Sequence, residues 1–103
     1  MAAIYSTRFI GQQVTTSTPV IYTVPSGNVA VLRSISMTPA ATGLTAAEVS
    51  LGSASIVWKV ATGTLSVTQT WDGRQVFNAG ETIECTCAGA NAYFMCSGYL
   101  LTP

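Results

Sequence analysis

The sequence predicts an all-β fold, a single-domain antiparallel β-sandwich or jelly roll of about seven or eight strands with an N-terminal arm. Three observations lead there. The apolar runs between residues 19 and 101 are short and rich in β-branched or aromatic residues. Nearly every run is closed by a Gly, Pro or Asn turn. Those turns recur at roughly ten-residue spacing, the rhythm of a sandwich rather than of alternating strands and helices.

Residues 1–18 are expected to be an arm or a first strand, and 19–103 the sandwich itself. Ile4, Tyr5, Phe9 and Ile10 are too apolar for an idle tail, so the arm is expected to dock, on its own domain or on a neighbouring copy. Residues 1–10 are accordingly expected to be dispensable for the fold. Val20–Val24 reads as a strand, and Pro25-Ser26-Gly27-Asn28 as a tight turn into a return strand, Val29–Met37. Strict alternation in that strand places Val29, Val31, Arg33, Ile35 and Met37 on the core face, with Arg33 near a rim.

After the small-residue loop at 40–43, Ala47–Leu51 and Ser55–Ala61 are expected to pair as a hairpin in which Val49 and Leu51 meet Ile56 and Trp58. A helical turn over Leu44–Glu48 is the alternative for the start of that segment. Leu65–Thr70 alternates as a strand and is expected to end at a turn in Trp71-Asp72-Gly73-Arg74. Gln75–Phe77 leads to a second turn, Asn78-Ala79-Gly80-Glu81. Thr82–Cys87 and Ala92–Leu101 then form a closing hairpin around Gly89-Ala90-Asn91. The turns Val24-Pro25-Ser26-Gly27 and Phe77-Asn78-Ala79-Gly80 resemble each other, a faint echo of two related halves as in a double Greek key.

A chain of 103 residues is the size of one domain. A hydrophobic fraction of 49% and mean hydropathy of +0.44 exclude a disordered segment. No stretch approaches the roughly 20 apolar residues of a membrane-spanning helix, so a soluble globular chain without a membrane partner is expected. Only 8% of residues are charged, against about a quarter in an ordinary soluble domain. Such a surface is expected to be partly covered by sister copies or other proteins. Arg8, Arg33, Lys59 and Arg74 are scattered and balanced by Glu48, Asp72, Glu81 and Glu84, so no basic stripe exists to neutralise phosphates and no nucleic-acid partner is expected. The first nine residues lack the basic start and apolar core of a secretory signal, which implies synthesis in the cytoplasm.

The absence of histidine removes Ser-His-Asp triads, Cys-His dyads and histidine-based zinc sites. The carboxylates are expected in turns or on outward strand positions, not as a paired acid and base. Cys85, Cys87 and Cys96 lack metal-binding spacing and are expected to pack as small hydrophobes, with Cys85 opposite Cys96, Ile83 opposite Gly98 and Cys87 opposite Phe94 in the closing hairpin. No catalytic residue, metal or cofactor is expected. Tyr93, Met95 and Tyr99 share the other face of the last strand and are expected to form either core or a subunit contact. Trp71, at a strand end, and Trp58 are candidate platforms for a ligand such as a host surface glycan.

The stretches Ile4-Tyr5-Ser6-Thr7-Arg8-Phe9-Ile10-Gly11 and Ile21-Tyr22-Thr23-Val24-Pro25-Ser26-Gly27, the latter running into Val29–Ile35, resemble small virion proteins of tailed bacteriophages, as found among the structural genes of actinobacteriophages. Trp71–Ile83 and Ser97–Leu101 share the likeness, which covers most of the chain. It implies a non-enzymatic β-sandwich that assembles as a symmetric oligomer, often a trimer, in the virion. The position implied is the tail or tail tip, with capsid decoration on the head lattice as the alternative and a carbohydrate-binding module contacting the host wall as a second.

Overall fold

Eight strands form two four-stranded antiparallel sheets, and no strand but one pairs with its successor in sequence. The computed structural model describes residues 3–52, 55–61 and 67–102, with side chains from residue 7 onward. The strands are β1 (Ala3–Val14), β2 (Val20–Thr23), β3 (Val29–Pro39), β4 (Ala46–Leu51), β5 (Ser55–Val60), β6 (Gln69–Phe77), β7 (Thr82–Ala88) and β8 (Ala92–Thr102). The first sheet has the order β1-β8-β3-β6 and the second β2-β7-β4-β5. This is the jelly-roll order, in which the chain crosses the core at each connection except β4–β5. The single domain measures 47 × 21 × 19 Å. No helix among the described residues is long and apolar enough to cross a membrane.

The core between the sheets is built by alternation. Phe94, Cys96 and Ala92 of β8 and Ile35 and Met37 of β3 meet Ile83 and Cys85 of β7 and Val49 of β4, with Phe77 and Leu44 closing the ends. Among the described residues no polar or charged side chain is buried, so the core contains no group whose desolvation must be compensated.

Crossing connections correct two expected hairpins. Val20–Val24 and Val29–Met37 do not pair: β2 lies against β7, and β3 lies between β8 and β6. The turn itself forms, with Asn28 N–H donating to the Pro25 carbonyl at 3.2 Å and Gly27 at φ 82°. Its counterpart at 78–81 makes the same bond, Glu81 N–H to the Asn78 carbonyl at 3.0 Å, with Gly80 at φ 85°. The two turns also hold each other, Val24 N–H to Glu81 carbonyl and Gly80 N–H to Val24 carbonyl. The similar sequences thus occupy matching sheet-to-sheet crossings.

The closing hairpin is likewise a crossing. Cys85 and Cys96 are on different sheets and face each other through the core, with sulfurs 3.6 Å apart and both thiols free. Asp72-Gly73 is no turn either: β6 runs through it and absorbs the extra residue as a bulge. Only β4–β5 is the hairpin expected, with Val49 opposite Trp58; a bulge then sets Ser50 opposite Ile56 and Leu51 opposite Ser55. β4 starts at Ala46, without the alternative helical turn. Leu65 lies outside the described residues, and Val67, near its strand, is exposed ahead of β6.

A line of bulges crosses the first sheet. Phe9 is the extra residue of β1, opposite Ser97–Cys96 of the unbulged β8; Arg33 is that of β3, opposite Gly98–Ser97; and β6 carries a matching irregularity at Gly73-Arg74, so all meet at the level of Ser97. Because a bulge shifts the two-residue alternation, Ala30 and Leu32 face the core before it and Ile35 and Met37 after it. The expected core face of Val29, Val31 and Arg33 is therefore corrected. Val31 is covered on the outer face, and Arg33 is exposed.

Candidate functional site: the outer face of the β1-β8-β3-β6 sheet

The residues expected to dock divide between core and surface. Phe9 and Ile10, adjacent in sequence, are 7% and 3% exposed because the β1 bulge turns both inward. Phe9 packs against Tyr22 with ring centroids 5.0 Å apart. Their burial is within this chain, so of the two expected docking sites these two residues take their own domain. The supposed arm is a full edge strand, hydrogen-bonded to β8 from Ala3 to Val14. Ile4 and Tyr5 occupy register positions opposite Leu101 and Leu100, and their side chains lie outside the described residues.

Tyr93 and Met95 point away from the core at 52% and 47% exposure. Alternation in β8 forces this, since Phe94 and Cys96 are the inward residues. Tyr99 continues the outward row, half-buried, beside Val31 of β3 and, beyond it, Val76 of β6. Between this apolar group and Met95 runs a polar band, Arg8–Ser97–Ser34–Asp72, set by register across all four strands. Ser34 and Ser97 share a hydroxyl hydrogen bond of 3.0 Å. Arg33 Nε donates to the Gly73 carbonyl at 2.7 Å, which ties the β3 and β6 bulges together. The Arg8 stem lies over Gly11, so close that a Cβ there would meet its Cδ at 2.6 Å.

These groups line a shallow depression of about 450 Å³ between Arg8, Arg33, Ser34, Ser97 and Tyr99. A smaller one of about 240 Å³ lies beside Tyr93 and Met95, floored by Gly11, Ser36 and Thr38. Both are open, and neither holds a base, nucleophile and acid in mutual reach.

The remaining chemically equipped groups are elsewhere. Glu81 accepts from Asn78 N–H at 2.6 Å within its turn. Glu48 and Glu84 stand on the outer face of the second sheet around a depression of about 420 Å³, with Glu84 accepting from Thr82 Oγ1 at 3.2 Å. No group of three or more metal-ligating side chains occurs among the described residues. The hydrogen bond with Cys96, together with burial, pushes the Cys85 thiol pKa far up, and burial raises that of Cys87. Cys87 also donates to the Val14 carbonyl. These are protonated core thiols rather than nucleophiles. Trp58 and Trp71 are half-buried and packed on the core, Trp71 with its six-membered ring against Gly73.

The polar band and its bulges were not foreseen from sequence. Arg8, the pair Arg33-Ser34, and Ser97 are far apart along the chain, and only the strand order brings them to one level. Comparison with protein-family models and with curated proteins finds no match. Among solved structures the chain is similar to the Drosophila NLP-core, whose crystal structure bears on pentamer formation and histone binding. The identity is 12% over 94% of this chain and 96% of that one, with a TM-score of 0.49.

Proposed function

We propose that this chain is a non-enzymatic structural subunit that assembles with copies of itself in a bacteriophage virion, on the tail or tail tip. The observation that carries the assembly reading is the outer face of the first sheet, where Tyr93 and Met95 stand exposed beside a polar band. An aromatic and a methionine exposed together on one sheet face, toward one end of its long strands, are the composition of a contact surface, with the neighbouring hydroxyl and arginine groups as its hydrogen-bonding surround. A charged content of 8% supports the same reading, because a surface so poor in charge is kept dispersed only weakly in isolation. The virion setting rests on the sequence resemblance. Capsid decoration is the alternative position for the same subunit.

Light scattering on the purified chain across a hundredfold concentration range tests assembly. The proposal expects mass to rise above one chain, and a monomer at every concentration sinks it. Imaging of particles carrying a tagged chain separates tail from head, and a tag found on neither ends the virion assignment.

A further inference from the structure

The two outer faces of the sandwich carry opposite charge in matching places. On the first sheet, Arg8 stands on β1 and Asp72 on β6 at the two ends of one cross-strand row, with Arg33 at the bulge alongside. On the second sheet, Glu84 of β7 lies in the row Ile21–Glu84–Ser50–Ile56. The neighbouring row is Thr86–Glu48–Lys59, ending on β5. Across the core β1 lies nearest β2, so β6 and β5 close the opposite side. The Arg8 edge of one face therefore backs onto the side of the other that carries Glu84, Arg33 of β3 backs onto Glu48 of β4, and the β6 edge, with Asp72 and the exposed Arg74, backs onto Lys59 of β5.

The apolar groups are matched as well. Ile21 and Ile56 are 51% and 57% exposed and flank Glu84 and Ser50, while Tyr93 and Met95 lie beside the arginines on the opposite face. The first face carries three exposed arginines, Arg8, Arg33 and Arg74, against one carboxylate, Asp72, so a two-fold contact of that face with itself leaves arginines facing each other without acidic partners, which disfavours such a pair.

We propose that copies associate front to back, the Arg8/Arg33 face of one against the Glu48/Glu84 face of the next. This rests on the assembly reading above and gives it a geometry. A displaced copy in the same orientation puts Arg8 toward Glu84 and Arg33 toward Glu48, and these two attractions fix register, while at the β6 edge Asp72 and Arg74 offset each other toward Lys59. Such a contact is heterologous, with each copy leaving one face of each kind open. Because the faces lie on opposite sides of a sandwich, repetition builds a stack or a wide ring and not the compact trimer that the resemblance implies.

Charge reversal tests this. Arg8→Glu with Arg33→Glu, and separately Glu48→Arg with Glu84→Arg, are each expected to weaken self-association about tenfold or more, and the four changes in one chain to restore it. Sedimentation velocity at low and high salt is the readout, with far-ultraviolet dichroism and urea unfolding confirming the fold. Since Arg33 also holds Gly73, the pair Arg8→Glu and Glu84→Arg, singly and together, repeats the cycle without it. Wild-type association with reversals that have no effect, or folded single-face variants that the combined chain does not rescue, overturns the front-to-back contact and leaves assembly standing. A wild-type chain that never associates overturns both.

Discussion

Gly98 shows how a single residue permits the outer face to exist. It lies in β8 beside the β3 bulge at Arg33, and a Cβ there would run into the carbonyl oxygen of Val31, a backbone atom that cannot swing aside. Gly98→Ala is expected to cost about 2 kcal/mol or more, as overpacking against fixed backbone does. A urea midpoint within 0.5 kcal/mol of wild type, on about that scale of surface substitutions, contradicts this reading. Cys85 carries a second prediction at this scale. Its folded pKa lies above the ordinary thiol value of 9.0, so the folded state keeps a proton that the unfolded chain releases. Stability is then full below about pH 9 and falls above it by about 1.4 kcal/mol per pH unit for this thiol. Urea unfolding between pH 7 and 10.5 reads the slope, which Cys85→Ala should reduce.

At the scale of elements, β1 matters most, because sequence and structure differ there. Residues 1–18 show poor periodicity since the bulge at Phe9 breaks it, which hides a twelve-residue strand behind the look of an arm. Removing residues 1–10 is expected to abolish cooperative unfolding, as it takes Phe9 and Ile10 out of the core; Phe9→Ala alone should cost about 3–5 kcal/mol. A truncated chain that melts like the full one contradicts this. Apart from β6, whose Asp72-Gly73 bulge reads as a turn, the strands from Val20 onward were readable from β-branched runs and Gly-Pro-Asn turns, and the pairing around Val49 and Trp58 from a local hairpin. Pairing elsewhere was not, because a jelly roll joins successive strands across the core: Cys85 and Cys96 meet through the sandwich instead of side by side. Turn chemistry specifies where a chain reverses, and it is silent on which sheet receives it.

For the whole molecule, the sequence already showed the absence of histidine and a composition short of charge, and it placed Tyr93 and Met95 together by simple alternation. The charge pattern of the faces was beyond it, since Arg8, Arg33, Glu48 and Glu84 acquire their positions only from strand order and bulges. Both faces of the sandwich are solvent-facing in a lone copy, and the first presents the exposed Tyr93 near one end of its long strands, opposite Gln13 and Thr38. Introducing charge there tests whether that face is covered in the assembled state without touching the core. The most direct measurement is sedimentation equilibrium of the wild-type chain beside Tyr93→Glu/Met95→Glu at the same concentrations. The account predicts an assembling wild type and a folded variant whose association is weakened at least tenfold, about 1.4 kcal/mol; equal masses for the two chains at every concentration would contradict it.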